Sequence, residues 1–257
     1  MDTTIPRDIR LAAREGWNLP TEGLAPGYVQ ANLVILPVKY ALDFLIFCQR
    51  NPRPCPVIEV TGAGSWEPRL TTPGADLRTD LPAYRVFERG ILSGEVQDIR
   101  PVWRDDFMAF LIGCSYTFDY CLVDGGVDVP HITSGVTMRS FTTNIRCVSS
   151  GPFHGPMVAS MRPILARQVS RAVQITARYP LAHGSPVHIG DPSLIGVHFS
   201  PEEWREQGGS EDRVPVFWGC GVTPQAVALE AKPEIMITHK SSYMFVTDLT
   251  VRSIEAV

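Results

Sequence analysis

Val214-Pro-Val-Phe-Trp-Gly-Cys-Gly-Val-Thr-Pro-Gln-Ala-Val-Ala-Leu-Glu-Ala231 reads as a strand that turns directly into a helix. Residues 216–222 are apolar and β-prone, Thr223 is a good N-cap, and Pro224 occupies the first helical position. Two flanking runs also stop on acid-base side chains: Pro186-Val-His-Ile-Gly-Asp191 and Pro233-Glu-Ile-Met-Ile-Thr-His239. Alternating strands and helices predict an α/β fold, in which ligands bind outside the carboxyl ends of the strands. Reactive side chains at successive strand ends therefore predict one shared crevice, an enzyme site.

Working outward, residues 6–16 form a short amphipathic helix. Tyr28-Val-Gln-Ala-Asn-Leu-Val-Ile-Leu36 is a buried stretch broken by Pro37, and residues 38–50 carry Ala41, Leu42, Leu45 and Ile46 at helical spacing. Residues 56–61 are a strand closed by Gly62, and residues 84–88 and 91–99 pair as a hairpin around Arg89-Gly90. Residues 105–123 read as one long apolar helix ended by Gly125-Gly126. Residues 136–161 give two antiparallel strands around an irregular loop, and 164–179 a helix stopped by Pro180, while the polar segment 200–213 reads as surface loop. The prediction is a three-layer α/β core from residues 1–100 and 165–257, with a second, smaller α+β domain over 101–164.

Composition narrows the function classes. A chain of 257 residues with 44% hydrophobic and 19% charged residues is an ordinary globular protein. Its net charge is −4 and it has no Lys/Arg run, so the electrostatic footprint that nucleic acid needs is missing. Lysine occurs only at Lys39, Lys232 and Lys240, so arginine supplies nearly all the basic charge. That skew suits two-point binding of carboxylates, or reflects codon bias towards arginine. Cys48, Cys55, Cys114, Cys121, Cys147 and Cys220 form no CxxC pair and read as reduced thiols. Without an apolar leader near Met1 or an apolar run near membrane length, the sequence predicts a cytoplasmic protein with no membrane partner.

Cys220, between Gly219 and Gly221 and just before a helix start, is the sharpest chemical candidate: a helix N-terminus favours the nucleophilic thiolate. It also reads as a small buried residue in a tight turn. His188 with Asp191 is a candidate acid-base pair, and His239 with Asp248 could complete a Cys/His/Asp arrangement. The same His188, Asp191, His239 and Cys220 have ligand types that suit a divalent metal, but no HxH, HxxxH or CxxC spacing supports one, so no cofactor is predicted. Arg139, Arg146, Arg162 and Asn144 are candidates for a carboxylate pocket, or solvated strand-face residues. Gln30 and Asn32 sit inside an apolar run, where an amide braces the backbone or touches ligand. Thr223 and Gln225 lie at the helix start, whose N–H groups suit an oxyanion. Gly62-Ala-Gly64 lacks any nucleotide-loop spacing.

Several blocks resemble the hydro-lyase family that includes D-glutamate cyclase. They are Gly27-Tyr-Val-Gln-Ala-Asn-Leu-Val-Ile-Leu, Cys55-Pro-Val-Ile-Glu-Val-Thr-Gly, Phe110-Leu-Ile-Gly-Cys-Ser, Thr143-Asn-Ile-Arg-Cys, Met157-Val-Ala-Ser-Met-Arg-Pro, His183-Gly-Ser-Pro-Val-His-Ile-Gly-Asp-Pro, Phe217-Trp-Gly-Cys-Gly-Val-Thr-Pro-Gln and Val246-Thr-Asp-Leu. The resemblance runs over nearly the whole chain. It implies a three-layer α/β core with a smaller α+β domain, and a lyase of amino-acid metabolism that removes water from, or adds it to, a small carboxylated substrate. The D-glutamate cyclase members interconvert D-glutamate and 5-oxo-D-proline. The chain departs from the family where Thr238-His-Lys-Ser-Ser-Tyr-Met244 replaces a usual Thr-His-Ala-Pro-Gly-His-Met, losing a Pro-Gly turn and a second histidine. Trp218-Gly-Cys-Gly221 replaces a usual Trp-Ala-Cys-Gly.

The combined expectation is a homo-oligomeric, cyclase-like enzyme. Its catalytic groups are Cys220, His188, Asp191 and His239, and Gln30, Asn32, Arg139, Asn144, Arg162, Thr223, Gln225 and Asp248 face the substrate. A metal-assisted hydrolase or hydratase, and a non-catalytic amino-acid or oxo-acid binder, are the alternatives.

Overall fold

The computed structural model describes residues 1–256. Along the chain run α1 (Pro6–Arg14), β1 (Tyr28–Pro37), α2 (Val38–Arg50), β2 (Val57–Val60), β3 (Tyr84–Glu88), β4 (Ile91–Val96), β5 (Phe107–Gly113), α3 (Tyr116–Asp124), α4 (Pro130–Thr133), β6 (Ser140–Arg146), β7 (Pro156–Leu165), α5 (Val169–Ala177), β8 (His188–Ile189), α6 (Pro201–Glu206), β9 (Arg213–Gly219), α7 (Thr223–Ala231), β10 (Met236–His239) and β11 (Phe245–Thr250). The strands form two sheets. One has seven strands in the order β2-β5-β1-β10-β3-β4, with β11 also on β1, and the other has four in the order β6-β7-β9-β8.

β1 is the hub of the larger sheet because its apolar run satisfies a ladder on each edge. Ala31–Pro37 pairs with β5, while β11 and then β10 share the opposite edge. Alternate side chains feed two cores. Val34 and Leu36 join Phe44, Phe47, Phe110 and Phe153 on the α2 side, and Ala31, Leu33 and Ile35 join Leu77, Tyr84 and Phe245 on the other. A third core lies between α3, α5 and the smaller sheet, built from Phe118, Leu122, Ala172, Val216 and Trp218.

Helices and sheets mix as an α/β protein requires, but every pairing among the described strands is antiparallel. Neighbouring strands therefore point their carboxyl ends in opposite directions, so strand ends alone do not converge. Residues 105–123 are not one helix. They divide into β5 and α3 at Cys114-Ser115. A strand paired on both edges and buried on both faces carries no alternation, and its apolar run is indistinguishable by periodicity from a buried helix. β5 belongs to the larger sheet while β8 and β9 belong to the smaller, so sheet membership does not follow the 101–164 division. Within 200–213 a helix forms, α6, whose Ser200 and Glu203 make a capping box.

Gly113, the last residue of β5, packs directly on the backbone of Leu181. A Cβ there would lie 1.7 Å from the Leu181 carbonyl oxygen, a backbone atom that cannot rotate away. Gly113→Ala is expected to lower unfolding stability by about 1–3 kcal/mol through overpacking. Urea unfolding checks this, and an unchanged midpoint would contradict the packing described.

Candidate functional site

One face of the smaller sheet sets Ser140, Ser160 and Arg162 beside the core side chains Val216 and Trp218. Ser140 pairs with Ser160, Ser160 with Trp218, and Arg162 with Val216, so these residues point to the same side. Cys220 follows Trp218 by two residues, and its amide donates to the Val158 carbonyl at 2.9 Å, extending the ladder by one step. The first turns of α3 cover this face. Phe118 and Trp218 hold the Arg162 guanidinium between them, 4.9 and 5.2 Å from their ring centres.

Arg162 is fully buried, and so is its partner Asp119 on α3. Nε donates to Asp119 Oδ1 at 2.6 Å and Nη2 to Oδ2 at 2.9 Å. Nη2 also reaches Ser115 Oγ at 3.0 Å, and Nη1 reaches Ser160 Oγ at 3.0 Å. His131 Nε2 lies 2.8 Å from the same carboxylate. Burial by itself pushes the Asp119 carboxyl up, but Arg162 and His131 outweigh it and hold the group down to about 2. The result is an ionised pair in a dry, hydroxyl-lined setting.

Cys220 sits at the open edge of this face, with Sγ 3.6 Å from Ser140 Oγ. Burial raises its thiol, and the opposing pull of the Val222 N–H, the Ser140 hydroxyl and the Arg162 charge is weaker. Cys220 is thus a protonated thiol at neutral pH, not the thiolate anticipated from the helix start. Desolvation exceeds what one N–H at a helix end returns. Cys114 occupies the matching place before α3, and burial, resisted by the Tyr116 N–H, pushes it up to about 12.

Gly221 lets the Cys220 turn rest on Asn32, whose Nδ2 would lie 1.9 Å from any Cβ there. Asn32 Nδ2 in turn donates to the Gly113 carbonyl at 2.7 Å, tying the turn to the end of β5. Thr223 Oγ1 accepts from the Val158 N–H at 3.1 Å and donates to the Cys220 carbonyl at 2.8 Å. Asn32 and Thr223 brace the turn. Gln225 spans from Arg85, which donates to it at 3.4 Å, to the His239 carbonyl at 3.0 Å.

One imidazole that belongs to this cluster escaped the sequence reading. His183 is fully buried and holds a left-handed backbone at φ 76°, uncommon outside glycine. Its Nδ1 donates to the Arg53 carbonyl at 2.6 Å, and that oxygen also lies 2.6 Å from a Cβ built on Gly219. Its Nε2 is buried without a hydrogen bond among the described residues, and the ring also faces the Gly113 carbonyl. Burial lowers His183 to about 4, so the ring is neutral. A buried, strained, half-satisfied histidine is a mark of function that spacing does not reveal. Asp119 left a fainter trace: a carboxylate within Phe118-Asp-Tyr-Cys-Leu122 must find a partner if that run is buried.

The other predicted residues lie elsewhere. His188 pairs with Phe217, which faces the opposite side of the smaller sheet from Trp218, and its Nε2 meets the Asp191 backbone carbonyl at 2.7 Å. The exposed Asp191 carboxylate accepts instead from the Ser193 N–H at 2.9 Å, capping a 3-10 turn. His239 pairs with Tyr84 and so shares its face of the larger sheet, away from Asn32, because cross-strand partners point the same way. Its Nδ1 accepts from the Leu33 N–H at 3.2 Å, and burial lowers it to about 4. Asp248 is bound to Arg10 at 2.9 Å, which removes it from a triad with Cys220 and His239. Arg139 reaches Glu203 and Glu206 on α6, Arg146 lies 3.7 Å from Glu230, and exposed Asn144 donates to the Leu194 carbonyl at 3.4 Å. Gln30 braces the Thr21 and Leu24 carbonyls at 2.8 and 3.0 Å. Among the described residues no three His, Cys, Asp or Glu side chains gather as metal ligands would. Two cavities, of about 1280 and 360 Å³, are lined by none of Cys220, His183, His188 and His239.

In the turn after β10, Ser242 takes a left-handed φ of 71° and its carbonyl accepts from the Thr21 N–H at 2.8 Å. No helix among the described residues is long and apolar enough to cross a membrane.

Comparison with known proteins agrees with the sequence resemblance. The family model described as D-glutamate cyclase matches residues 108–248. The "Putative hydro-lyase GK2103" of Geobacillus kaustophilus is 55% identical over 91% of this chain and 89% of its own length. The "Putative hydro-lyase" of Stutzerimonas stutzeri is 52% identical over 97% of each chain, and the "Putative hydro-lyase YcsI" of Bacillus subtilis 51% over 97% and 98%. A solved nitrogen repressor-like protein of Methanococcus jannaschii covers 95% of this chain and 98% of its own, at 12% identity and a TM-score of 0.41, too distant to carry an argument. Identity above one half along nearly the full length, together with the family match over β5 to β11, makes this chain a member of the D-glutamate cyclase family of hydro-lyases.

Proposed function

We propose that the chain interconverts D-glutamate and 5-oxo-D-proline, with loss or gain of one water, at the Cys220 turn. The observation that carries this reading is the Cys220 thiol beside the Ser140 hydroxyl, on the sheet face that also holds the Asp119–Arg162 pair.

In the cyclising direction the substrate ammonium loses a proton and its nitrogen attacks the side-chain carboxyl carbon. A C–N bond forms, a C–O bond breaks, and two protons from nitrogen end on the departing oxygen as water. The Cys220 thiol delivers a proton to that oxygen and recovers one from the attacking nitrogen. Four of the five N–H donors of a guanidinium are already committed at Arg162, so it acts by its field and by orienting Ser115 and Ser160. The Ser140 hydroxyl, beside Cys220, is the donor that suits the oxyanion of the tetrahedral intermediate.

Incubating the purified protein with D- and L-glutamate and both 5-oxoprolines tests the reading. Interconversion of the D pair is expected, and it should survive EDTA treatment. Formation of neither product defeats the cyclase assignment, and turnover that returns only with added divalent metal moves the site to the metal-assisted class. Cys220→Ser is expected to lower kcat by about 10²-fold or more with little change in KM, the size of a lost general acid; full activity in that variant removes the thiol from the chemistry. Asp119→Asn leaves a buried guanidinium uncompensated and is expected to cost about 3–5 kcal/mol of stability. Because the Asp119 carboxyl falls from 3.8 to about 2 on folding, its stabilisation is complete above pH 3.8 and is lost as pH drops through 2. Acid unfolding of wild type should show that loss and the variant should lack it; superposable acid profiles would contradict an ionised pair.

A further inference from the structure

A second site candidate lies on the other side of α3, away from Cys220. An open groove of about 1280 Å³ runs between α3, α5 and the segment around Arg252, lined by four arginines and only two carboxylates, Asp124 and Glu255. This is a local excess of positive charge on a chain whose net charge is −4.

The arginines are arranged, not scattered. Arg167, Arg171 and Arg178 recur at helical spacing along one stripe of α5 and its flanking turns, and Arg252 faces them from the 3-10 turn that ends the chain's ordered elements. Like charges at this spacing repel one another. Arg178 is neutralised by Glu255. Arg167, Arg171 and Arg252 are exposed and make no ion pair among the described residues. Ser170 lines the same stretch of the groove and adds a hydroxyl donor.

Beside this basic stripe, half-buried Tyr120 lines the groove, with the buried Tyr179 and Val251 forming its apolar floor. The groove exceeds the roughly 300–1,000 Å³ usual for small-molecule pockets, so a molecule of glutamate size would leave most of it unfilled. Separated guanidinium forks call for several anionic oxygens on one ligand, and Tyr120 for a flat ring. From this geometry we infer that the α3–α5 groove binds a phosphate-bearing ligand of nucleotide size, with its phosphates on Arg167, Arg171 and Arg252 and its ring against Tyr120. A ligand seated there touches α3 on the face opposite Asp119, which links the groove to the Arg162 cluster through one helix. The inference stands independently of the cyclase reading, since its readout is binding.

Isothermal titration of the full-length protein in low-salt buffer with ATP, inorganic pyrophosphate, inorganic phosphate and adenosine tests it. ATP is expected to bind saturably, pyrophosphate more weakly, and adenosine and phosphate weakest, with affinity falling as salt is added. An Arg167→Glu/Arg171→Glu variant, and separately Arg252→Glu on a different element, should each weaken ATP by at least about tenfold. Circular dichroism checks that both variants are folded. Pyrophosphate binding as tightly as ATP overturns the ring contact with Tyr120. Absence of saturable binding in wild type, or binding undiminished in folded Arg252→Glu, overturns the site.

Discussion

The buried pair between Asp119 and Arg162 is the constraint on which the site depends. Moving two ions out of water costs several kcal/mol each, and their attraction offsets this only when geometry is good and the remaining donors are satisfied. Both conditions hold: two charge-assisted bonds join the ions, and Ser115, Ser160 and His131 occupy further positions. The pair fixes α3 over the smaller sheet and thereby sets where Cys114 and Ser115 stand relative to Cys220. An apolar replacement of similar volume would hold the same elements together without supplying the field of the ion pair.

That field acts on groups kept neutral. Cys220 and Cys114 stay protonated because burial outweighs the single N–H each receives, and burial keeps His183 and His239 uncharged. A site of neutral thiol, neutral imidazole and hydroxyls around one compensated ion pair suits proton relay better than attack by a free thiolate. His183 and His239 differ in role: the first shares Arg53 with the Cys220 turn, the second lies across the larger sheet with Tyr84.

How much was legible in the sequence follows from how local each signal is. β1, the β3–β4 hairpin and α2 were readable because apolar period, turn residues and helix boundaries lie within a few positions. β5 was not, since its two-edged pairing with β1 and β2 is visible only in three dimensions. The chemical character of Cys220, Asn32, Thr223 and Arg162 was readable from residue type, yet their partners were not. Arg162 meets Asp119 across 43 residues and His183 meets Arg53 across 130, separations that no local pattern encodes. The reading of His188 and His239 as partners of Cys220 failed for one physical reason: antiparallel ladders send successive strand ends apart, and alternation puts neighbouring side chains on opposite faces.

The most direct test of the account is a crystal structure of the protein bound to 5-oxo-D-proline. The predicted result is the lactam ring against Cys220 and Ser140, on the face that carries Ser160 and Arg162. A ligand held instead beside His239 and Tyr84, or at His188, with the Cys220 turn untouched, would contradict it.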